Sequence, residues 1–339
     1  MEVTTVADDE AVVFDGATVH HYTGLEADRE HTYDGVTFRT LPHPGGELLS
    51  RVATVNDVHF GEVECGVLEG FELGPIFRSE PGEDPYPEVM NRAAAAEIAT
   101  IQPAAVIAKG DLTNLGNVDE YDAFLDCYGS VFGDVLVHVR GNHDAYRGET
   151  FAAFDTQLID VPGARLAVLD SVIPGVDSGK LSGDQLTWLA DVASDAARDG
   201  LPVLGFTHHH PWGPGSKSRE DGYFGINPDD SEHLVALVAK HSSIVGWFAG
   251  HTHRNRVRYF DATGGVPWAE VACVKDFPGA WAEYRIYEGG VLQVFRRITE
   301  PAALAWTEKT RGMFGGVYPD YAFGQLADRC FPIALRLAQ

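Results

Sequence analysis

Five short apolar runs along the chain each stop at a group of His, Asp or Asn side chains. The runs cover residues 52–55, 105–108, 135–139, 203–206 and 244–249. Runs of four to six residues rich in Val, Ile, Leu and Phe are typical of buried strands. The groups that follow are Asp57-Val58-His59, Gly110-Asp111-Leu112-Thr113-Asn114, Gly141-Asn142-His143-Asp144, His208-His209-His210-Pro211 and Gly250-His251-Thr252-His253. Because parallel strands end at the same edge of a sheet, we predict that these groups meet at one rim.

Helical patterns separate the apolar runs. Apolar spacing predicts helices over residues 87–102, 119–132, 184–198 and 230–241. Ser182 and Gln185 form a plausible capping box for the third helix. Strand and helix in alternation predict an α/β sheet flanked by helices, whereas residues 256–298 alternate β runs with Gly turns and predict a second, largely antiparallel sheet.

Three parts are expected along the chain. Residues 1–48 carry short β runs between Asp and Gly turns and predict a small N-terminal β appendage. Residues 49–300 form the main domain, in which the acidic, Gly- and Pro-rich insert 61–87 is too long for an ordinary loop and is either functional or mobile. The tail 301–339 is expected to become helical over 321–337 and to pack on the domain or on a partner subunit.

Composition narrows the function classes. The formal net charge of −25 disfavours nucleic acid as the main ligand and disfavours anionic membranes, since both require a Lys/Arg surface. Four cysteines without a C-x-x-C spacing exclude a zinc finger and fit a reducing compartment. The first residues lack the basic and apolar regions of a signal peptide, and no run has the length of a membrane span, so a cytoplasmic location is predicted.

The polar groups together offer the ligands of a metal site. A single histidine at a strand end is usually structural, but five such groups in order favour a shared function. The candidate donors are Asp57, His59, Asp111, Asn142, one histidine of the 208–210 run, His251 and His253. Carboxylate, amide and imidazole donors in this number suit two divalent ions such as Mn, Fe or Zn, with one carboxylate bridging. Two such ions about 3.5–4 Å apart can activate water and clamp a phosphoryl group during in-line displacement.

The ordered motifs D-x-H, G-D-x-x-N, G-N-H-D, H-x-P and G-H-x-H, spread over residues 51–295, resemble those of the calcineurin-like metallophosphoesterase superfamily. The resemblance implies a four-layer α/β fold in which two mixed β-sheets pack face to face between helices. It also implies a dinuclear metal site at the carboxyl ends of the strands.

The resemblance also implies a role for each position. Asp57, His59 and His253 would hold the first metal, Asp111 would bridge, and Asn142, a histidine before Pro211 and His251 would hold the second. The family pattern places that histidine at His209, with His208 as the next choice and His210 as the third. The implied general acid is His143, which would protonate the leaving oxygen or stabilise developing charge, with Asp144 orienting it by a hydrogen bond.

The layout, including Leu169-Asp170-Ser171 and the His-His-Pro segment, is most similar to class III cyclic-nucleotide phosphodiesterases and glycerophosphodiesterases. It departs from them at Trp212, in the insert and in the tail. We therefore expect hydrolysis of a small phosphodiester partner, first of all a cyclic nucleotide. One hypothesis is that Lys217 or Arg219 contacts the phosphate or an anionic substituent of the substrate, and the favoured alternative is a solvated pair on the loop. The alternatives are a phosphomonoesterase acting on nucleotides, sugar phosphates or phosphoproteins and, more remotely, a non-catalytic scaffold. A homodimer is compatible with the tail.

Overall fold

Two six-stranded β-sheets pack face to face at the centre of the protein. A computed structural model describes residues 1–67, 70–213 and 223–336. The strands are β1 (Glu2–Val6), β2 (Glu10–Asp15), β3 (Thr18–Thr23), β4 (Glu30–Tyr33), β5 (Val36–Arg39), β6 (Leu48–Val55), β7 (Ala105–Lys109), β8 (Leu136–Val139), β9 (Thr156–Val161), β10 (Ala164–Leu169), β11 (Val203–Phe206), β12 (Ile244–Ala249), β13 (Arg256–Tyr259), β14 (Pro267–Glu270), β15 (Ala280–Tyr287), β16 (Gly290–Arg297) and β17 (Phe331–Ala334). The helices are α1 (Tyr86–Thr100), α2 (Val118–Phe124), α3 (Ser130–Phe132), α4 (Gly183–Asp199), α5 (Pro228–Lys240), α6 (Pro301–Thr310), α7 (Tyr318–Ala322) and α8 (Leu326–Arg329).

Both large sheets are mixed. The first has the order β13-β14-β12-β11-β10-β9, and the second has the order β17-β16-β15-β6-β7-β8. Neighbours from β10 to β14 and from β6 to β8 run parallel, while the outer strands pair antiparallel. This architecture confirms the predicted fold class.

The separate antiparallel sheet expected over residues 256–298 was wrong. Strands β13 and β14 extend the first sheet, where β14 lies parallel to β12, and β15 and β16 extend the second. Gly turns mark where a strand ends, but they do not select its partner. The need for burial selects the partner of a strand. Every residue of β14 and β15 is buried, so both faces of these strands must be covered.

Apolar side chains fill three layers. Val52, Ile107 and Tyr284 of the second sheet face Leu166 and Phe206 of the first. Outside the first sheet, α4 and α5 bury residues such as Leu189 and Leu234, and α1 covers the second sheet with residues such as Met90 and Ile98. Helix α4 begins at the predicted capping box of Ser182 and Gln185. Helix–sheet–sheet–helix packing leaves the strand ends free to carry a site.

The N-terminal strands β1–β3 form a small sheet that packs on the second large sheet, and β4 and β5 form a separate hairpin. Thr5 Oγ1 donates to the Phe295 carbonyl at 2.7 Å. Buried ion pairs join Glu10 to Arg285 and Arg296, which also pair with Glu283. Charge pairing as well as apolar contact therefore attaches this segment.

The helix expected over residues 321–337 was wrong. The short helices α7 and α8 are followed by β17, which pairs antiparallel with β16 at the edge of the second sheet. Gly324 has a φ of 65° and lies between the two short helices, where it prevents one continuous helix. Pro332 is compatible with an edge strand. Phe331 and Ile333 are buried while Pro332 and Ala334 are exposed, which is the alternation of a strand.

The insert of residues 61–87 folds back on itself. Cys65 and Phe77 exchange both backbone hydrogen bonds at 3.0 Å, and Glu64 pairs with Arg78. The insert also contacts the tail, where Gly315 N donates to the Gly74 carbonyl at 2.9 Å. Lys217 and Arg219 lie outside the described residues. Within the described ranges, no helix combines the length and the apolar character that crossing a membrane requires.

Candidate metal centre

The polar groups predicted to meet do lie together, beyond the carboxyl ends of β6, β7, β8, β11 and β12. Asp57, His59, Asp111 and His253 bring one ligand atom each to within 4.8 Å of one another. His208, His209 and His251 form a second set with the same property. The two sets meet at Asp111. Motifs that are far apart in the sequence therefore meet in one site, which consists of two halves.

Asp111 faces both halves. Its Oδ2 lies 3.5 Å from His59 Nε2, and its Oδ1 lies 3.4 Å from His208 Nε2. In the first half, Asp57 Oδ1 lies 3.4 Å from His253 Nε2. A carboxylate with one oxygen toward each half is placed as a bridging ligand would be.

The three consecutive histidines point in different directions. His208 Nε2 faces Asp111 and lies 3.0 Å from Asn142 Oδ1, while its Nδ1 lies 2.8 Å from the Lys109 carbonyl oxygen. His209 Nδ1 lies 2.8 Å from Ser171 Oγ, and its buried Nε2 has no hydrogen-bond partner. The third, His210, lies with Nε2 3.2 Å from the hydroxyl of Tyr223. The contact with Asp111 favours His208, which the sequence ranked second, whereas the unpaired Nε2 favours His209 of the same set.

A simple signal in the chain also points to His208. Asp57, Asp111 and His251 each lie two residues beyond the last residue of their strand, at Val55, Lys109 and Ala249. Strand β11 ends at Phe206, so the equivalent position is His208. Counting back from Pro211 reaches His209 instead. The distance from the strand end therefore favours His208, and the spacing to Pro211 favours His209.

The backbone at the site is strained. Left-handed φ values between 47° and 69° occur at Asp57, His59, Asp111, His251 and His253. Such a conformation costs about 1–2 kcal/mol for a residue with a side chain, and it persists only where the surrounding structure imposes it. Five such residues occur within the two sets. In this part of the fold, the placement of the side chains therefore outweighs the conformational preference of the backbone.

Glycines let the backbone pass close to the carboxylates. A Cβ at Gly141 would lie 2.1 Å from Asp111 Oδ1, and one at Gly250 would lie 2.8 Å from Asp57 Oδ2. No side chain fits at these distances. The glycines of G-N-H-D and G-H-x-H are therefore steric requirements of the site.

Several buried ring nitrogens lack hydrogen-bond partners. Both nitrogens of His59 and the Nε2 atoms of His209 and His251 are in this state. Leaving a buried polar atom unpaired is costly, and a metal ion satisfies such atoms directly. Burial, followed by the charge of His143, holds the pKa of His59 well below its usual range, and burial does the same for His251. Neutral imidazoles beside two carboxylates fit divalent cations.

His208 differs in charge from its neighbours. Burial lowers its pKa, but the Asp111 carboxylate outweighs burial and raises the pKa to about 9. A proton on His208 Nε2 would have to leave before that nitrogen could bind a metal ion.

His143 lies beside the first set, where its ring centroid is 4.5 Å from that of His59, and Asp144 is buried next to it. His143 Nδ1 lies 2.7 Å from the Asn114 carbonyl, and its backbone N–H donates to Asp111 Oδ1 at 3.0 Å. The expected hydrogen bond from Asp144 to His143 was wrong. Asp144 instead accepts hydrogen bonds from the backbone N–H groups of Leu112, Thr113 and Gly141 and from the Thr113 hydroxyl. It ties the G-D-x-x-N turn to the G-N-H-D turn, and Asn114 orients His143. Burial, followed by the charge of Asp111, raises the pKa of Asp144 to about 6.

Residues 50–255 match the family model for calcineurin-like phosphoesterases. The chain belongs to the calcineurin-like phosphoesterase family. Curated relatives include the glycerophosphodiester phosphodiesterase GpdQ of Enterobacter lignolyticus, 30% identical over 48% of this chain and 60% of the relative. A 3',5'-cyclic adenosine monophosphate phosphodiesterase, CpdA of Pseudomonas aeruginosa, is 31% identical over 52% of this chain and 63% of the relative. A cAMP/cGMP dual specificity phosphodiesterase of Mycobacterium tuberculosis is 32% identical over 45% of this chain and 49% of the relative.

The matches span about half of this chain and less than two thirds of these relatives. Among solved structures, a dimetal phosphatase from Danio rerio is similar with a TM-score of 0.54 at 16% identity, covering 74% of this chain and 98% of that one. This likeness establishes the shared fold.

A cavity of about 360 Å³ opens over the candidate ligands of this phosphoesterase family member. Part of its wall comes from the insert, and part comes from beyond the family match. The later wall residues are Lys275, Asp276, Met313, Phe314, Tyr318 and Tyr321. Sequence reasoning missed them, together with Tyr146, because no motif spacing links them to the ligands. The tail was expected only to pack, yet it also forms part of the cavity.

Proposed function

We propose that this protein is a metal-dependent phosphodiesterase that hydrolyses small phosphodiesters, with cyclic nucleotides as the first substrates to test. The observation that carries the proposal is the Asp111 carboxylate, which presents one oxygen to each set of candidate ligands. The phosphomonoesterase alternative uses the same ligands and differs in the substrate pocket.

The proposed ligands divide between two sites. Asp57, His59 and His253 hold the first ion, and Asn142, His208 and His251 hold the second, with Asp111 shared between them. Two divalent ions bound there supply an activated water and neutralise charge on the phosphoryl oxygens. Mn, Fe and Zn all suit this mixture of oxygen and imidazole donors.

His143 is the proposed general acid. The Asn114 carbonyl accepts a hydrogen bond from Nδ1, which leaves Nε2 as the ring atom that can pass a proton to the leaving oxygen. His143 lines the cavity and is partly exposed, so a substrate can reach it. Asp144 supports it indirectly, by fixing the turn on which His143 lies.

The cavity favours a diester over a monoester. Among the described residues that line it, Lys275 is the one Lys or Arg. Its Nζ lies 2.7 Å from Glu62 and 2.9 Å from Asp276, so its charge is already matched by two carboxylates. A diester carries one negative charge at its phosphate, whereas a monoester near neutral pH carries close to two. The names of the curated relatives point the same way. Cytoplasmic location and a homodimer remain predictions from the sequence.

The test is hydrolysis by the metal-free protein reloaded with Mn²⁺, comparing bis-p-nitrophenyl phosphate with p-nitrophenyl phosphate. A strong preference for the diester supports the proposal and leads to cyclic nucleotides. Preference for the monoester would replace it with the phosphatase alternative. Two bound ions without turnover of either substrate would contradict both.

The ligand assignment has its own test. We expect His208→Ala to lose the second Mn²⁺ equivalent in a metal titration, and His209→Ala to retain it with weaker affinity. His233→Ala, on the exposed face of α5, is the matched control. Loss of the ion in His209→Ala but not in His208→Ala would restore the assignment first drawn from Pro211.

A further inference from the structure

Tyr146 and Asp177 form a short hydrogen-bonded chain that ends on Asn142. Asn142 Nδ2 donates to the Tyr146 hydroxyl oxygen at 2.6 Å. The same hydroxyl donates to Asp177 Oδ1 at 2.6 Å. The first distance is short for an N–H···O bond, and the second is ordinary for a hydroxyl donating to a carboxylate. Neither Tyr146 nor Asp177 belongs to the motifs that identified the site.

An asparagine ligand needs such a partner. Its side chain presents an oxygen and an NH₂ group of almost the same size, and only the oxygen can bind a cation. A rotation of the amide would turn the NH₂ group, with its positive hydrogens, toward the second metal position. The environment must therefore decide which end faces His208 and Asp111.

Tyr146 can fix the orientation of the Asn142 amide because its hydroxyl proton is already used in the hydrogen bond to Asp177. A hydroxyl donates one hydrogen bond and accepts others. The Asp177 carboxylate can only accept, so the tyrosine proton points to Asp177 and a lone pair faces Asn142. An acceptor facing Asn142 selects the Nδ2 end of the amide. Oδ1 is then left on the side of His208 Nε2, 3.0 Å away.

The parts of this chain are held independently of any ligand. Tyr146 directly follows the short 3₁₀ helix His143–Ala145 and lies four residues after Asn142. Asp177 lies on the connection that follows β10, where Gly175 N donates to the Ala145 carbonyl at 3.1 Å and Lys180 N donates to the Ser171 carbonyl at 2.9 Å. The connection that carries Asp177 is thus hydrogen-bonded to the 3₁₀ helix that precedes Tyr146.

We propose that Tyr146 and Asp177 are positioning residues that fix the amide of Asn142 with its oxygen toward the second metal. The inference rests on the proposed role of Asn142 as a ligand of that metal. It assigns a metal-affinity function to two residues outside the ligand set.

The test is Mn²⁺ binding to the metal-free protein without substrate, followed by calorimetry and by the electron paramagnetic resonance of bound Mn²⁺. Tyr146→Phe keeps the ring and removes the acceptor. We expect it to weaken the second Mn²⁺ about 10- to 100-fold and to leave the first within about twofold. Asp177→Ala should weaken the second site in the same direction, because the hydroxyl proton is then free to turn toward Asn142.

The decisive comparison is the effect of Tyr146→Phe in a protein that also carries Asn142→Asp. Two equivalent carboxylate oxygens need no orienting partner, so adding Tyr146→Phe to Asn142→Asp should leave the second-site affinity unchanged. Tyr22→Phe is the matched control, since it removes a tyrosine-to-aspartate hydrogen bond of 2.7 Å to Asp34 on the N-terminal strands.

An unchanged second-site affinity in Tyr146→Phe would overturn the inference, as would an equal loss at both sites or an equal loss in the Asn142→Asp background. Asn142→Ala separates this failure from failure of the proposed function. If Asn142→Ala itself leaves the second site intact, the ligand assignment falls. If it weakens that site while Tyr146→Phe does not, only the positioning role falls.

Discussion

Strand β6 connects two buried polar clusters that satisfy their charges in opposite ways. Near its start, Arg51 belongs to a junction in which Arg285 and Arg296 pair with Glu10 and Glu283. Just beyond its end, Asp57 belongs to the metal-binding sets, where buried ring nitrogens lack partners and the backbone is strained. The charges of the first cluster are matched within the protein, so that removing one partner is costly, whereas the ring nitrogens of the second cluster need a ligand to complete them.

The largest effect should follow a change at the shared carboxylate. Asp111→Asn removes the charge that faces both sets, so we expect turnover to fall by more than about 100-fold and metal content to drop. Metal analysis and the diester assay measure this. Asp160→Asn, in an exposed pair with Arg165, is the control and should behave as wild type. Full activity in Asp111→Asn would mean that the unpaired cluster is not the active site.

The next effect concerns His143. His143→Ala should keep both metal ions and lose about 10²- to 10⁴-fold in rate, because a positioned acid contributes in that range. The loss should be greatest for alkoxide leaving groups and small for p-nitrophenolate. Rates for a series of diesters with different leaving groups provide the measurement. A uniform loss across the series would point to charge stabilisation instead of proton transfer.

The paired junction gives a pH-dependent effect on stability. Burial alone would raise the pKa of Glu10, but Arg296 and Arg285 lower it from 4.5 to about 2. Because the folded value is depressed, its contribution is present above about pH 4.5 and is lost as the pH falls toward 2. That contribution is about 3 kcal/mol at pH 7.

Glu10→Gln should therefore lower the free energy of unfolding by about 3 kcal/mol at pH 7, and the difference from wild type should narrow by more than half at pH 3. Urea unfolding at the two pH values measures this. A difference that is constant with pH would show that packing, not charge, accounts for the loss.

The smallest effect should come from an exposed ion pair. Arg39 pairs with Asp28 at 2.9 Å, with both side chains about 60% exposed. Solvent screening limits such pairs, so Arg39→Gln should change stability by less than about 0.5 kcal/mol. A loss comparable to that of Glu10→Gln in the same urea experiment would remove the distinction between buried and exposed pairs.

The resemblance of the motifs implied the layered fold, and the residues themselves predicted the meeting of the five polar groups, because strand ends and ligand types are local features of the chain. Sequence reasoning misplaced β13 to β16, since partner choice depends on which face needs cover. It also misjudged Asp144, whose neighbour in sequence is His143 but whose nearest donors lie in the turn after β7. Tyr146 could not be found at all, because its function depends on Asp177, 31 residues away.

The candidate ligands all lie within residues 57–253, whereas part of the cavity wall comes from residues 275–321, outside that range. The cavity wall thus combines two segments that are distant in the chain and meet only in the folded protein. Tyr321 is tied to the candidate ligands, because its hydroxyl donates to the Thr252 carbonyl, between His251 and His253, at 2.9 Å. Changes at Phe314, in contrast, can alter the shape of the cavity while the sequence of the candidate ligands stays the same.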